Sequence, residues 1–376
     1  MDPVRNKKSE IFADSPKASR ISNGMDLIIF NENDRKKYND FLLSSKYKDI
    51  LQSWEWGEIK SKFNWESQRI GFLKEGELKG VAQLLKRRLP LGFSLFYIPR
   101  GPVTDWGNPE LVKEVISALK VFFIEKLKDP KTLFLRLEPP VEENEELVRV
   151  LKESDFKEYF KTVQPSSTLL IDLTPSEEEL LKKFRRTARN LIYRSERELI
   201  TVETLKSDEV TQDDLKGFYN LYRITGKRFS FPLRPFKQFI FLLNEMTRLG
   251  AVRFYIAKVK GLILAYGIVL VLGDRAFYIW GGTGRHKQYS KFFNYGYIWG
   301  ILKDLKRVGV KTFDFWGLGP EDDKNHPWHG FTLFKRAFDG KRFNYLGAFD
   351  FPVSKFYPLF KLMDKIVTPK YRATSS

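Results

Sequence analysis

In residues 252–280, VRFYIAKVKGLILAYGIVLVLGDRAFYIW, three apolar runs are separated by two tight turns. The turns are Lys258-Val259-Lys260-Gly261 and Gly273-Asp274, and the runs between them are rich in β-branched and aromatic residues. The pattern predicts strands over 252–257, 262–272 and 276–280, then a helix near 292–308 and a strand over 312–316. An antiparallel meander that leads through a helix into another strand is therefore the expected unit of this fold.

The same order of elements occurs earlier in the chain. Strands are predicted over 65–72, 78–85 and 93–98, followed by a helix over 109–127 and a strand over 132–137. This repetition predicts an α/β (α+β) fold made of two similar halves.

The joint between the halves is expected at Pro165-Ser166-Ser167, where turn residues precede a new alternating strand. We expect a disordered extension over 1–24, a first domain over 25–164, a second over 165–352 and a basic C-terminal helix or tail over 353–376. The polar residues 1–24 lack the apolar run of a signal peptide. The longest apolar stretch, residues 261–272, is too short to cross a bilayer as a helix.

The composition limits the chemistry. The formal net charge of +18 favours an anionic partner, such as nucleic acid, a nucleotide sugar or anionic lipid. The chain has no cysteine, which excludes disulfides and thiolate nucleophiles. It has 3 histidines, and no acidic cluster completes a ligand set beside them, so we expect no metal site.

A basic helix is predicted to start at a capping box, Thr174-Pro175-Ser176-Glu177, and to run towards Arg197. Its buried stripe is predicted to comprise Leu180, Phe184, Ala188 and Leu191. The other faces carry Lys182, Lys183, Arg185, Arg186, Arg189, Arg194 and Arg197. Such a helix is either a solvated surface or a binding site for an anion.

Several short motifs occur in an order that resembles the Fem family of non-ribosomal peptidyl transferases. They are SWEWGEIK at 53–60, YIPRGPV at 97–103, PSST at 165–168, TGKRF at 225–229, FDFWGL at 313–318, HGF at 329–331, Phe334-Lys335 and YLG at 345–347. The resemblance implies two GNAT-like acyltransferase domains in tandem. No segment is long enough for the coiled-coil arm of some members, so a compact, armless type is expected.

The resemblance also implies the reaction. An amine on the stem peptide of a peptidoglycan precursor, UDP-linked or lipid-linked, would attack the ester of an aminoacyl-tRNA. The tRNA is then a co-substrate, and no other cofactor is implied. A monomer in the cytoplasm is expected, with peripheral association at the membrane as an option.

For the reaction centre, the resemblance implies that Lys335 contacts the reacting ester and that Phe334 packs against the tRNA terminus. Asp105 is the carboxylate in a matching position that would accept a proton from the amine. Without the resemblance, Lys335 would be interpreted as a surface lysine and Asp105 as a turn or cap residue.

For the acceptor, the resemblance implies that Lys60 and Arg234 hold a diphosphate, with Arg228 as the alternative to Arg234. Tyr97 and Arg100 would line a substrate loop, and Tyr278 an acceptor groove, although an aromatic strand residue is more often part of a core. Binding of tRNA is assigned to the basic helix through Lys182, Lys183, Arg185, Arg186 and Arg189.

Two other functions remain open from the sequence. A CoA-dependent GNAT N-acyltransferase would share the fold, but residues 284–291 lack the repeated glycines of a pyrophosphate loop. A non-enzymatic nucleic-acid-binding protein would explain the charge alone. The C-terminal residues 354–372 fit either a membrane surface or a helix packed on the second domain.

Overall fold

A computed structural model describes residues 19–21, 24–127, 129–320 and 323–367. Its first half contains β1 Ser19–Ile21, β2 Met25–Phe30, α1 Arg35–Ser44, α2 Trp54–Ser61, β3 Trp65–Lys74, β4 Glu77–Arg88, β5 Ser94–Ile98, β6 Val103–Thr104, α3 Pro109–Phe122, β7 Thr132–Leu137, α4 Glu145–Glu153 and β8 Lys157–Tyr159. Residues 19–21 pair with β2, so this part of the predicted disordered extension is ordered. Residues 1–18, 22 and 23 lie outside the described residues.

The second half follows β8. It contains β9 Ser167–Asp172, α5 Glu177–Lys183, α6 Arg186–Arg197, β10 Thr201–Lys206, α7 Gln212–Phe229, α8 Phe236–Thr247, β11 Val252–Val259, β12 Leu262–Leu272, β13 Arg275–Thr283, α9 Phe293–Arg307, β14 Thr312–Asp314, α10 His329–Arg336, β15 Lys341–Asn344, β16 Ala348–Pro352 and α11 Tyr357–Val367.

The predicted repetition is confirmed. In the first half, β3, β4 and β5 form an antiparallel meander, α3 follows, and β7 pairs parallel with β5. In the second half, β11, β12 and β13 form the same meander, α9 follows, and β14 pairs parallel with β13. The fold therefore consists of two GNAT-like α/β halves in tandem, and α7, the longest helix among the described residues, is no coiled-coil arm.

One strand crosses between the halves. The first sheet has the order β1-β2-β3-β4-β5-β7-β16-β8, with β6 on β4, and the second has β10-β11-β12-β13-β14-β9-β15. Thus β16, which lies within the predicted second domain, completes the first sheet between β7 and β8. A buried ion pair fixes it there, since Arg136 Nε donates to Asp350 Oδ1 at 2.7 Å.

The two halves share a hydrophobic core. Buried side chains of α1 and α2 pack in one cluster with those of α7, α8 and the second sheet. At its centre the rings of Trp56 and Trp280 stack with centroids 6.3 Å apart. Because the core spans both halves, it holds them in one fixed arrangement.

The predicted basic helix is two helices, and its predicted start is wrong. The capping box is formed by Ser176 and Glu179, not by Thr174 and Glu177. The helix ends at Phe184, whose backbone is extended at ψ 147° and whose ring is buried. Arg189 Nη1 donates to the carbonyl of Phe184 at 2.7 Å, so this carbonyl at the break between the helices has a hydrogen-bond donor.

The C-terminal helix α11 packs on the first sheet, where Tyr357 also donates to Asp350 of β16. The rings of Phe134 in β7 and Tyr357 are 5.5 Å apart, and the Tyr159 hydroxyl donates to Asp364 at 2.6 Å. No helix in the described part of the chain combines the length and apolar character needed to span a bilayer.

Candidate functional site

A cavity opens in the second half where two parallel strands separate. β13 and β14 pair only over Arg275–Phe277 and Thr312–Asp314. Beyond this pairing β13 continues to Thr283, whereas the segment that follows β14 turns away at Trp316, which has a φ of 68°. The space between them has a volume of about 570 Å³, and its walls come from α7, β13, α9, α10 and the loop after β14. This size suits a small-molecule group or one end of a larger ligand.

Lys335 occupies one wall of the cavity. It lies on α10 and is 2% exposed. Its Nζ donates to the carbonyls of Phe315 at 2.7 Å and Gly317 at 2.6 Å, and lies 3.9 Å from the ring centroid of Phe331. The interpretation of Lys335 as a surface lysine is therefore wrong. Two of the three N–H groups of an ammonium are used, which leaves the third for a group in the cavity.

Burial lowers the pKa of Lys335 well below the usual lysine value, while the nearby Asp314 acts in the opposite direction. The lowered pKa means that burial disfavours the ammonium form, and a negative charge that arises beside Nζ favours this form again. Lys335 can therefore respond to an oxyanion that forms during a reaction.

Asp314 fixes the loop that holds Lys335. Its Oδ1 accepts from the Trp316 backbone N–H at 2.7 Å and from the Thr168 hydroxyl at 2.5 Å, and its Oδ2 accepts from Arg275 at 2.8 Å. These bonds hold Trp316 in its left-handed conformation, so that the carbonyls on either side of it face Lys335 Nζ. Asp314 is thus a positioning residue that the sequence did not single out, although an acid within the aromatic run FDFWGL was the available signal.

Aromatic rings form the floor of the cavity. Tyr278, Trp280 and Phe334 line it, and the Phe334 ring makes an edge contact with Tyr295 at 5.0 Å. A β-bulge in β13, opposite Ile268 and Val269, places Tyr278 in the core on one face of the sheet and Trp280 in the core on the other. Burial raises the pKa of Tyr278 to about 12, so the phenol stays neutral.

Two arginines line the far wall. Arg228 donates to the Thr283 carbonyl at 3.1 Å, and Arg234 follows the turn after α7. Desolvation lowers the pKa of both guanidinium groups, and Arg285 adds to the effect at Arg228. Guanidinium groups remain charged under such conditions, so this wall presents positive charge to a ligand.

Lys60 reaches the same region from the first half. It is half-buried on α2, with Nζ 4.9 Å from the ring centroid of Trp56, which itself stacks on Trp280. Burial, together with the charges of Arg234 and Arg87, lowers the pKa of Lys60 to about 7. Lys60 does not itself line the cavity, but it lies in the positive field of Arg234, and the binding of an anion by this pair stays a prediction.

Tyr97 and Arg100 are buried elsewhere in the molecule. The Tyr97 hydroxyl donates to Glu138 at 3.0 Å, and Arg100 donates to the Pro165 carbonyl at 2.6 Å. The Arg100 guanidinium also lies 3.4 Å from the ring centroid of Tyr345. Neither residue lines the cavity: Tyr97 is bonded within the first half, and Arg100 contacts Pro165 and Tyr345.

Asp105 is exposed in the loop before α3. Its carboxylate accepts from the Gly107 backbone N–H at 3.0 Å, as a turn residue does. It does not line the cavity, and this position does not support the proton-accepting role predicted from the sequence.

The basic helices lie beside α10. The Arg185 backbone N–H donates to the Ala337 carbonyl at 3.0 Å, two residues after Lys335. Lys182, Lys183, Arg185 and Arg186 are exposed, whereas Arg189 is half-buried and bonded to the carbonyls of Lys182 and Phe184. Four predicted tRNA contacts are therefore accessible, and Arg189 has a structural function.

Among the described residues, no group of three or more His, Asp or Glu side chains is arranged to hold a metal ion.

The fold and this cavity define a tandem GNAT-like protein whose second half carries a cation-lined site. The chain belongs to the FemAB family, whose model matches residues 34–259 and 245–365. The lipid II:glycine glycyltransferase of Staphylococcus epidermidis is 25% identical over 372 residues, which cover 80% of this chain and 86% of that protein. The protein of the same name from Staphylococcus aureus strain COL is 23% identical over 377 residues, with the same coverage.

The crystal structure of FemX superposes with a TM-score of 0.76 at 22% sequence identity, covering 88% of this chain and 98% of that one. At this identity the likeness shows the fold. The predictions of the family and of the tandem fold are confirmed.

Proposed function

We propose that the protein transfers an aminoacyl group from aminoacyl-tRNA to an amine on the stem peptide of a peptidoglycan precursor. The observation that carries the proposal is the cavity with a desolvated Lys335 on one wall and the charges of Arg228 and Arg234 on another. Membership of the FemAB family, and relatives named lipid II:glycine glycyltransferase, support transfer to such a precursor.

The chemistry needs a group that stabilises an oxyanion. When the neutral amine attacks the ester carbonyl, a C–N bond forms and the carbonyl oxygen becomes negative. Its natural partner is the free N–H of Lys335, because the other two N–H groups are fixed on carbonyls. Collapse of this intermediate breaks the C–O bond to the ribose.

The proton balance closes without a carboxylate. After the attack the nitrogen carries a surplus proton, and the departing ribose oxygen needs one. Transfer of the proton between these two substrate atoms completes the reaction. This route is compatible with the position of Asp105 outside the cavity.

The arginine wall is proposed to hold the acceptor's diphosphate. A diphosphate needs several donors, and the guanidinium fork matches its oxygens. Burial lowers the pKa values of Arg228, Arg234 and Lys60. Repulsion from neighbouring cations adds to this effect, from Arg285 at Arg228, from Arg87 at Arg234, and from Arg234 and Arg87 at Lys60. Binding of a diphosphate, in a UDP-linked or lipid-linked precursor, would relieve this repulsion.

The exposed cations of α5 and α6 are proposed to bind the tRNA backbone. They lie next to α10, so an RNA bound there would have its terminus near Lys335 and Phe334. Phosphate contacts of this kind are independent of sequence and sensitive to salt.

The decisive experiment incubates the purified protein with a mixed pool of charged tRNA and either lipid II or UDP-linked pentapeptide. We expect the acceptor mass to increase by an amino-acid residue. A parallel incubation with acetyl-CoA tests the GNAT alternative, and an acetylated acceptor would replace the proposal. Binding of charged and uncharged tRNA with equal affinity, and no transfer to either acceptor, would favour a nucleic-acid-binding protein.

A further inference from the structure

Helix α11 is held to the first sheet by one of its faces only. Tyr357 is buried against Phe134, and the Phe360 ring lies 5.0 Å from the same Phe134 ring. Asp364 accepts from the Tyr159 hydroxyl and from Lys161 Nζ, each at 2.6 Å. These positions, 357, 360 and 364, follow the helical period and define the inward face.

The opposite face of α11 is apolar and exposed. The exposed fractions are 56% for Leu359, 56% for Leu362, 57% for Met363 and 74% for Ile366. Four large apolar side chains on one face of a short helix, directed away from the sheet that anchors it, need a nonaqueous partner.

The exposed face continues onto neighbouring elements. At one end the Phe356 ring contacts Phe93 at 5.4 Å, next to the hairpin tip where Leu91 is 84% exposed. At the other end the ring of Phe160, which is 46% exposed, lies 4.5 Å from the ring of Tyr159 beside α11. The apolar surface therefore extends from the β4–β5 hairpin along the whole helix.

Charge identifies the partner. The acid of α11, Asp364, faces inward and is bonded to Tyr159 and Lys161. The exposed Lys355 and Lys365 flank the apolar face, and the whole chain carries +18. A row of apolar side chains bordered by lysines matches the boundary between headgroups and acyl chains of an anionic bilayer.

We propose that α11 and the tip of the β4–β5 hairpin form a docking surface for anionic phospholipid membranes. Leu91, Leu359, Leu362, Met363 and Ile366 enter the acyl boundary, and Lys355 and Lys365 contact the headgroups. The helix lies in the plane of the membrane, because its inward face remains bonded to the sheet. The docking goes beyond the proposed transfer reaction and does not depend on it.

The test is sedimentation of the full chain with vesicles of phosphatidylcholine, with and without phosphatidylglycerol. We expect the wild-type protein to pellet with the anionic vesicles and to be released by added salt. The triple variant Leu359→Glu, Met363→Glu, Ile366→Glu should lower the vesicle partition coefficient by roughly tenfold or more, since each change removes an apolar contact and adds a repelled charge.

A matched control places the same charges elsewhere. Leu199, Leu262 and Val308 are exposed by 68%, 44% and 47% on the second half. Their triple replacement by Glu makes the same change in net charge and should retain most of the binding. Equal pelleting of wild type and the α11 variant, equal loss in both triple variants, or wild-type binding that ignores phosphatidylglycerol would overturn the proposal.

Light scattering without lipid tests the alternative that the exposed apolar face of α11 binds a second copy of the chain. If the protein is a monomer, as expected from the sequence, this result supports the membrane-docking proposal. A dimer that the α11 variant dissociates would assign the face to self-association and overturn the proposal.

Discussion

Lys335 is a lysine side chain that the fold has removed from water, with its Nζ fixed on two carbonyls. Its remaining N–H has the greatest effect on a state that carries new negative charge nearby. Its contribution should therefore appear in turnover and not in acceptor affinity.

Replacement of Lys335 by Met should lower kcat by roughly 10²–10³-fold, the usual effect of removing one oxyanion donor. The KM for the acceptor should change little, because the acceptor's phosphates are proposed to bind at the arginine wall. Steady-state transfer assays would measure both constants. Lys341→Met, an exposed lysine on β15, is the control and should keep normal turnover. Normal turnover in Lys335→Met would remove Lys335 from the reaction.

Lys60 should make acceptor binding depend on pH. Its pKa of about 7 means that the ammonium form is present below this pH and disappears above it. Affinity for the UDP-linked acceptor should therefore decrease between about pH 6 and about pH 8, measured by calorimetry.

Lys60→Met should flatten this dependence and weaken binding at the lower pH. Lys62→Met is the matched control at the end of the same helix, since Lys62 is exposed, and it should preserve the wild-type profile. A wild-type affinity that does not change across this range would contradict the assignment of Lys60.

For single residues, the sequence predicted which side chains line the cavity better than it predicted how buried they are. The cavity gathers Lys335, Phe334, Tyr278, Arg228 and Arg234, which the family resemblance had selected. The burial of Lys335 could not be predicted, because a lysine on a short amphipathic pattern is normally exposed. It depends on a loop with a left-handed residue, Trp316, which no local motif indicates.

Among the elements, the α5–α6 pair offers a direct test of RNA binding. The double variant Lys183→Ala, Arg186→Ala should weaken tRNA binding and reduce the magnitude of the salt-dependence slope by roughly one for each phosphate that is no longer neutralised. Filter binding across a salt series would measure this. The control Lys36→Ala, Lys37→Ala removes two exposed cations from α1, and an equal effect there would show that only net charge matters.

The break between these helices also explains an error of prediction. The apolar spacing of the predicted stripe is continuous with one helix; Leu180, Phe184 and Ala188 are buried, and Leu191 is half-buried. Periodicity predicts which side chains face the core. It does not predict where the helix is interrupted and a side chain such as Arg189 donates to a backbone carbonyl, here that of Phe184.

For the whole molecule, the shared core predicts cooperative unfolding. Calorimetry should show one transition, because separation of the halves would expose the cluster around Trp56 and Trp280. Trp56→Ala should destabilise the protein by about 3–5 kcal/mol and shift the whole transition. Two transitions, of which only one responds to Trp56→Ala, would show that the halves unfold separately.

The overall architecture followed from the sequence because each half repeats the same order of strands, turns and helix. The position of β16 did not, since the strand's own residues cannot specify which of two similar sheets will receive it. The partner is fixed by Asp350 and Arg136, which are 214 positions apart.

The return of β16 to the first sheet has a consequence during synthesis on the ribosome. Strand β8 pairs with β16, and the guanidinium of Arg136 lacks its carboxylate until Asp350 has left the exit tunnel. The first sheet should then remain without β16 while almost all of the remaining chain is translated. Nascent chains arrested before residue 348 should accordingly be more sensitive to protease within the first half than chains that carry a C-terminal linker long enough to bring β16 out of the exit tunnel.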